Sequence, residues 1–207
     1  MIRKSKRPNK QLLWLWMDSL FLESRAYEKG LDVACGRMLM RKLFKTELYK
    51  GIDIDKRRIA AGLEKYPEAE GEVRPIEKMN NNDRGDFVVC LQTIGINTKF
   101  NNENIISCVK KIVKATNCEG MLTFNVGPKA KDHFECIDEL LRDSFSKVDV
   151  LNYGALNKKM PKCISYLLAR VMYKYPSLAK TSSNPCRLYI ARDKSLSAPV
   201  KIGRNKM

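Results

Sequence analysis

The sequence predicts an α/β fold of three layers, in which a mainly parallel sheet lies between two layers of helices. Short apolar runs alternate with segments of helical periodicity along the chain, and Gly, Pro, Asn or acidic residues separate them. Strands that alternate with helices of about 10–15 residues pair in parallel, and helices then cover both faces of the sheet. The chain has 207 residues, 44% of them hydrophobic, which is enough to bury one sizeable core.

The order of the elements follows from the periodicity. Apolar residues recur at helical spacing between Leu13 and Tyr27 and predict a helix over 11–28. The apolar run LDVAC predicts a strand over 31–35, and the periodic RMLMRKLF that follows predicts a helix over 37–45. The same criteria predict further strands over 48–53, 71–75, 86–91, 120–126, 146–152 and 186–192, and further helices over 56–66, 77–82, 102–116, 132–144 and 161–175.

Residues 31–55 have the pattern of a nucleotide-binding unit. Gly36 ends the first strand and lets the backbone approach a ligand closely, and Asp53 ends the second strand, where a carboxylate accepts hydrogen bonds from ribose hydroxyls. Asp32 lies inside the first strand, a position at which a phosphate-binding loop needs no carboxylate. Such a carboxylate suits a ligand that carries a cationic group and no phosphate.

LDVACG followed by GIDID resembles motifs I and II of the class I S-adenosylmethionine-dependent methyltransferases, a Rossmann-like family. The likeness continues in order through GEVRPIEKM, DFVVCLQTIG and GMLTFNVGP and covers residues 28 to 128. The glycine loop of the family usually reads D-x-G-x-G-x-G. Here Gly36 keeps the middle glycine, whereas Ala34 and Met38 replace the others, and Met38 is large enough to narrow the pocket. The resemblance also implies a seven-stranded sheet whose last two strands form an antiparallel C-terminal hairpin at one edge.

The resemblance implies S-adenosylmethionine as the cofactor, bound where the strands end. Ala34, Cys35 and Gly36 would then pack under its methionine moiety. Asp32 would lie near its amino-acid part, or would accept hydrogen bonds from turn amides instead. Asp53 would hold the ribose hydroxyls, because the nearby Asp55 is better placed to cap the helix that follows.

The adenine end of the implied site is less complete. Ile54 is the apolar residue that would stack on adenine. Pro75 stands where the family often has an Asp for the adenine amino group, so the backbone of Ile76 or the side chain of Glu77 would replace it. Glu77 has an alternative role, because a carboxylate at a helix start is stabilised by the helix dipole.

Two residues are candidates for the chemical step. Gln92 follows the fourth strand, and the resemblance implies that it lies beside the sulfonium and positions the reacting groups. His133 is the only histidine, and its position at the start of a predicted helix makes it a candidate general base or an exposed capping residue. The region after the fourth strand lacks an NPPY signature, and no acidic residue occupies 90–97, which argues against amino-methylation of nucleobases and against magnesium-dependent catechol chemistry.

One domain is expected over residues 11–193, with a helical insertion at about 155–180. The resemblance implies that such an insertion lies over the acceptor pocket. It has an apolar face with basic residues around it, formed by Ile164, Leu167, Leu168, Val171, Met172 and Tyr175 with Lys158, Lys159, Lys162, Arg170 and Lys174. This face either packs in the core or belongs to a lid whose basic rim meets an anionic acceptor or a lipid surface.

The net charge of +16 favours anionic partners. Much of the charge lies in residues 1–10 and 194–207, which are predicted to be flexible basic tails. The seven cysteines are scattered singly, mostly in apolar runs, which predicts buried, reduced thiols in a cytoplasmic protein. A metal site is not expected, since one histidine and no ligand-like spacing are present. No apolar stretch reaches the ~20 residues of a membrane span.

The function favoured by the sequence is methyl transfer from S-adenosylmethionine to a small-molecule or glycan acceptor. The compact chain without an added RNA-binding module favours that acceptor class, whereas the basic charge favours RNA as the alternative. A third alternative is a non-catalytic scaffold of the same fold, which the replacements Met38 and Pro75 keep open. The absence of G-x-G-x-x-G after the first strand argues against a dinucleotide oxidoreductase.

Overall fold

The computed structural model describes residues 5–23, 26–96, 102–156, 158–181, 183 and 185–194. The predicted tails therefore lie largely outside the described residues. The helices are α1 (Pro8–Glu23), α2 (Lys56–Lys65), α3 (Ile105–Ala115), α4 (Phe134–Ser144) and α5 (Lys162–Lys174). The strands are β1 (Tyr27–Val33), β2 (Thr46–Asp53), β3 (Glu70–Val73), β4 (Gly85–Cys90), β5 (Thr116–Val126), β6 (Phe145–Tyr153) and β7 (Cys186–Lys194).

The seven strands form one sheet in the order β3-β2-β1-β4-β5-β7-β6. The first five in chain order pair in parallel, whereas β7 lies between β5 and β6 and is antiparallel to both. The mainly parallel sheet with an antiparallel C-terminal edge is therefore confirmed. The strand order reverses between β1 and β4, and open α/β sheets bind ligands in the crevice at such a point.

Two apolar clusters cover the two faces of the sheet, because successive strand residues point to opposite faces. On one face, Leu31 and Val33 of β1 belong to a cluster with α3 and α4. On the other face, Phe87 and Val89 of β4 belong to a cluster with α1, α2 and α5. The helices thus form the two outer layers of the predicted three-layer sandwich.

The predicted helix over 37–45 was wrong. Residues 36–40 form turns, and only Arg41–Leu43 form one short 3₁₀ helix. Met38 has a φ of 51°, in the left-handed region that an α-helix does not contain. Met38, Met40 and Phe44 are all buried, and their spacing of two and four residues follows the turns rather than one helical face. Core packing therefore outweighs the helical periodicity of this segment.

The predicted boundary of the N-terminal tail was also too late. α1 begins at Pro8, three residues before the predicted helix start, and Asn9 is buried. The backbone amide of Asn9 donates to the carbonyl of Leu156 at 3.1 Å, and the amide of Leu156 donates to Oδ1 of Asn9 at 3.1 Å. This pair of hydrogen bonds joins the start of α1 to the segment that follows β6.

The insertion between β6 and β7 packs on α1 through small side chains. Ser165, Ala169 and Met172 are its buried residues. Ile164, Leu167 and Val171, which were predicted to form part of a core-facing stripe or a lid, are exposed to solvent instead. The face of α5 that is buried is therefore not its most apolar face, because small residues let α5 approach α1 closely.

The cysteines only partly follow the prediction. All seven are free thiols, and Cys35, Cys90 and Cys108 are buried. Cys118 and Cys136 are exposed, as is Cys163 on α5. Within the described residues, no helix is long and apolar enough to cross a membrane, and no group of three or more His, Cys, Asp or Glu side chains is placed to hold a metal ion.

Candidate functional site

A cavity of about 980 Å³ opens at the carboxyl ends of the parallel strands. Its volume lies within the range of about 300–1,000 Å³ that is typical of small-molecule sites. It is built from the segments that follow β1, β2, β3 and β4, and is lined by Ala34, Asp53, Ile54, Asp55, Lys56, Arg57, Arg58, Arg74, Pro75, Ile76, Glu77, Leu91, Gln92 and Thr93. The chain thus forms its largest described cavity at the point where the strand order reverses.

The turn after β1 keeps the backbone of a three-glycine loop although it contains one glycine. Ala34, Gly36 and Met38 have φ values of 58°, 58° and 51°, so all three alternate positions are left-handed. This conformation costs an L-residue about 1–2 kcal/mol, and only glycine adopts it freely. A β-carbon at Gly36 would also lie 2.3 Å from Nη2 of Arg58, but this flexible side chain can move, so the left-handed backbone is the constraint that favours glycine.

Met38 does not narrow the cavity, contrary to the sequence-based expectation. Its side chain is fully buried and is not among the lining residues. It lies against Gly51, Gly62 and Gly71, where added β-carbons would be 3.2 Å, 2.8 Å and 2.8 Å from its side-chain atoms. Three glycines on β2, α2 and β3 therefore provide the space for the large residue that replaces the third loop glycine.

Asp53 connects the turn after β1 to the end of β2. Its Oδ2 accepts a hydrogen bond from the Gly36 amide at 2.8 Å, and its Oδ1 accepts one from the Asp55 amide at 2.9 Å. Nη1 of Arg58 lies 3.9 Å from Oδ2. Asp55 caps α2 by accepting hydrogen bonds from the amides of Arg57 and Arg58 at 3.0 and 3.2 Å, as predicted. Asp53 is thus held rigidly at the cavity wall and is not used as the helix cap.

Asp32 lies beneath the cavity and does not line it. Its carboxylate is 3% exposed and accepts a hydrogen bond from the hydroxyl of Tyr49 at 2.8 Å. Burial raises the pKa of Asp32 to about 7, the Tyr49 hydrogen bond acts in the opposite direction, and the charge of Asp53 raises the pKa further. The turn amides do not bond Asp32; alternation along β1 directs its carboxylate to the α1 face, where Tyr49 is its partner.

The other predicted cofactor residues form the far side of the cavity. Ile54, Ile76 and Glu77 all line it, and Ile54 is 59% exposed, which leaves an apolar surface open for a flat ring. Glu77 accepts a hydrogen bond from Nδ2 of Asn104 at 3.5 Å. Cys35 is buried and does not line the cavity, unlike its neighbour Ala34.

Gln92 is shared by this cavity and a second one of about 400 Å³. Its φ of 60° is left-handed, a strained conformation for a residue with a side chain. The second cavity is lined by Arg7, Asn9, Lys10, Gln92, Gly95, Ile96, Pro128, Lys129, Tyr153 and Cys186. None of these lining residues is acidic, and three of them are cationic.

Two residues that the sequence did not reveal, Asn125 and Tyr153, hold Gln92 in place. Oδ1 of Asn125 accepts a hydrogen bond from the Gln92 amide at 2.7 Å, and Nδ2 of Asn125 donates to the Tyr153 hydroxyl at 2.6 Å. Asn125 is fully buried near the end of β5, inside the run GMLTFNV. A polar residue in an otherwise apolar strand end was the available signal. Burial raises the pKa of Tyr153, which is therefore a neutral phenol near pH 7.

Comparisons with solved structures identify the fold. The chain is similar to the N-methyltransferase NodS of Bradyrhizobium japonicum in complex with S-adenosyl-L-homocysteine, with a TM-score of 0.58, 15% identity and coverage of 89% of this chain and 85% of that chain. A TehB-like methyltransferase of Corynebacterium glutamicum matches with a TM-score of 0.56, 13% identity and coverage of 90% and 88%. The chain has the class I methyltransferase fold.

A third structure with the same fold is described in complex with two ligands. The plantazolicin methyltransferase BamL, in complex with a triazolic analogue and S-adenosyl-L-homocysteine, matches with a TM-score of 0.54, 11% identity and coverage of 91% of this chain and 85% of that chain. No model of a protein family matches the sequence. No curated protein sequence is significantly similar to it. The methyltransferase fold therefore rests on tertiary structure rather than on sequence identity.

Two features that the sequence predicted at the site, His133 and the helix of the insertion, line neither cavity. His133 lines neither cavity, because β5 is followed by a 3₁₀ helix over Pro128–His133 that carries the histidine to the start of α4. None of the described residues of α5 lines either cavity, so α5 itself forms no part of their walls. In this methyltransferase fold, the segment beside the second cavity is instead the start of α1.

Proposed function

We propose that this protein transfers a methyl group from S-adenosylmethionine to a small anionic acceptor. The observation that carries the proposal is Gln92, which forms part of the wall of both cavities. A donor in the larger cavity and an acceptor in the smaller one would meet at this residue. Holding two reactants in line can supply about 7–11 kcal/mol of the barrier. The presence of S-adenosyl-L-homocysteine in complexes of NodS and BamL supports the choice of cofactor.

The chain's own residues fit this cofactor. The left-handed turn over Ala34 and Gly36 brings the backbone after β1 to the cavity, where Ala34 forms part of the wall. Asp53 is 4% exposed and lies at the cavity wall, where its carboxylate would accept hydrogen bonds from the ribose hydroxyls. Ile54 would cover one face of the adenine. When bound, the cofactor supplies an electrophilic methyl group on a sulfonium, so the protein needs only to orient the acceptor.

The second cavity selects the charge of the acceptor. Arg7 and Lys10 at the start of α1 and Lys129 after β5 surround it, and none of the described residues in its lining is acidic. A carboxylate or phosphate on the acceptor would be attracted by these cations, whereas an uncharged sugar would gain little from them. We therefore favour a small anionic molecule over a neutral glycan.

None of the described residues that line the second cavity is poised to act as a general base. Tyr153 is a neutral phenol, and burial raises the pKa of the Cys186 thiol to about 11. Both side chains keep their protons near pH 7. An acceptor atom that already carries a free lone pair would therefore suit this cavity, because its described lining offers no group to take a proton from the acceptor.

Calorimetry with S-adenosylmethionine and S-adenosyl-L-homocysteine tests the cofactor, with NAD as the control ligand. We expect both sulfur ligands to bind and NAD not to bind, since the loop lacks the dinucleotide glycine pattern. The absence of both a calorimetric signal and a thermal shift at millimolar S-adenosylmethionine would contradict the proposal.

A radiolabelled methyl-transfer assay on small-molecule fractions tests the acceptor. We expect labelled product from the anionic fraction, and a strong loss of transfer in the variant Arg7→Gln/Lys129→Gln while S-adenosylmethionine binding is unchanged. Lys131→Gln/Lys147→Gln is a matched control, because both lysines are exposed and line neither cavity. Transfer only to neutral sugars would contradict the anionic acceptor. Transfer to RNA that weakens steeply with salt would favour the nucleic-acid alternative.

A further inference from the structure

The exposed face of α5 has the composition of a buried one. Ile164, Leu167 and Val171 are 47%, 64% and 39% exposed. Their spacing of three and four residues places them on one side of the helix. A helix that only packs on its own protein would bury its large apolar residues and expose small ones such as Ser165 and Ala169. In α5 these two small residues are buried and the three large apolar residues are exposed. Contiguous apolar surface of this kind marks an interaction site.

Basic residues border this apolar stripe. Arg170 and Lys174 each lie three residues after a stripe residue, Leu167 and Val171 respectively, and so border the stripe along the helix. We call the stripe of Ile164, Leu167 and Val171 together with these two cations the α5 surface. Both cations lie over aromatic rings of the same helix region, since Arg170 is 5.9 Å from the Tyr166 ring centroid and Lys174 is 5.5 Å from that of Tyr175.

The chain segment that contains the α5 surface carries charge of one sign only. Between Asp149 and Asp193 the sequence contains no acidic residue, whereas it contains eight basic ones: Lys158, Lys159, Lys162, Arg170, Lys174, Lys180, Arg187 and Arg192. The last two form ion pairs with Asp138 and Asp149. The other six form no ion pair with any residue that the structure describes.

We propose that the α5 surface docks on an anionic lipid bilayer, with the apolar stripe at the boundary of headgroups and acyl chains. A basic helix with an aliphatic face binds such a surface through both its charge and its buried apolar area. A second copy of this chain would bring like charges together, and single-stranded nucleic acid would leave the aliphatic stripe uncovered, because it binds through backbone charge and base stacking. The docked helix would lie in the plane of the membrane.

Docking leaves both cavities open. None of the described α5 residues lines either cavity, and α5 packs against α1 through its other face. The inference therefore does not depend on the proposed function and can be tested without cofactor or acceptor. An apolar stripe that is exposed in solution would be covered at the membrane while the sheet edge remains accessible.

Co-sedimentation of the full chain with vesicles tests the proposal. We compare vesicles of phosphatidylcholine alone with vesicles that also contain phosphatidylserine. The apolar variant is Ile164→Gln/Leu167→Gln/Val171→Gln, whose exposed positions and helix-compatible replacements should preserve the fold. The charge variant is Arg170→Gln/Lys174→Gln. A matched control, Leu48→Thr/Val73→Thr, removes apolar side chains that are 55% and 49% exposed elsewhere.

We expect the wild type and the control to bind the anionic vesicles and not the neutral ones. The apolar and the charge variants should each bind at least roughly tenfold more weakly, since both area and charge contribute to such binding. Circular dichroism establishes that the variants are folded. The proposal is overturned if the wild type does not bind, or if the apolar variant binds as tightly as the wild type, which would assign the binding to basic charge alone. A concentration-dependent dimer that the apolar variant abolishes, without vesicle binding, would also overturn it in favour of a second copy.

Discussion

The side chain of Met38 packs directly against Gly62, in a space that a β-carbon at position 62 would occupy. A β-carbon at Gly62 would lie 2.8 Å from Cγ and 3.0 Å from Sδ of Met38, closer than real β-carbons approach. The third loop position of the methyltransferase fold and an interior position of α2 are therefore coupled. A large residue in the loop requires a glycine in the helix, which explains why a helix-weakening residue lies at position 62.

This coupling predicts a change of sign in the effect of Gly62→Ala. In the wild-type background we expect Gly62→Ala to lower the free energy of unfolding by about 1–3 kcal/mol, because it overpacks the core. In the Met38→Ala background the same substitution should raise it by up to about 1 kcal/mol, the usual gain from replacing glycine by alanine in a helix. Urea unfolding of the two single variants and the double variant measures this. Additive effects of the two substitutions would show that they are independent.

Asp53 and Asp55 predict separable effects although they are two residues apart. Asp53→Asn should weaken S-adenosylmethionine binding by about 1–3 kcal/mol, since a charge-assisted acceptor for the ribose is lost. Asp55→Ala should instead lower stability by about 1 kcal/mol through loss of the α2 cap, with the binding constant nearly unchanged. Calorimetry and thermal unfolding of both variants test this. Equal loss of binding in both variants would indicate that Asp53 acts only through the fold of the turn.

Asp32 predicts a pH dependence of stability. Because the pKa of the folded state is raised from 3.8 to about 7, the folded state binds the proton more tightly than the unfolded state. The contribution of Asp32 is therefore most favourable below pH 4 and is lost as the pH rises towards 7, with a slope of up to about 1.4 kcal/mol for each pH unit. Asp32→Asn keeps an acceptor for Tyr49 and removes the titration. The variant should be more stable than the wild type at pH 8 and should lose this advantage near pH 4, as measured by urea unfolding.

A flat difference between Asp32→Asn and the wild type across this pH range would contradict the raised pKa. The difference between the two proteins is the relevant quantity, because all other titrating groups contribute equally to both. Glu64→Gln is a suitable control, since Glu64 is exposed on α2 and should leave the pH profile unchanged.

The bonds between Asn125, Gln92 and Tyr153 predict that Asn125→Ala impairs both cavities. The variant leaves the Gln92 amide without its acceptor, and a strained residue between donor and acceptor sites would no longer be held. We expect weaker S-adenosylmethionine binding together with a loss of stability of about 1–3 kcal/mol. Tyr153→Phe should cost similar stability, because Nδ2 of Asn125 loses its acceptor, and should leave S-adenosylmethionine binding within about twofold. Tyr175→Phe, at a tyrosine that is 51% exposed, is the control and should change neither quantity.

Local pattern was sufficient for much of the fold. Alternating apolar runs predicted the positions of all seven strands to within a few residues. The positions of Gly36 after β1 and of Asp53 at the end of β2 predicted where the cavity lies. Gln92 lines both cavities, and its place beside the sulfonium, which the resemblance implies, stays a prediction. Such features depend on spacing along the chain, and the chain carries that information directly. The cap at Asp55 belongs to the same class, since its partners are two and three residues away.

Only the tertiary structure decided features that depend on distant parts of the chain. Met38 avoids the cavity because glycines from three other elements lie beside it, and Asp32 faces the core because Tyr49 on the neighbouring strand meets it there. Asn125 became a site residue through a partner, Tyr153, that is 28 positions away. The face of α5 that is buried is determined by the close packing of its small residues on α1 and not by the position of its most apolar residues. Sequence periodicity shows that a helix has two faces, but the shape of the partner surface determines which face is buried.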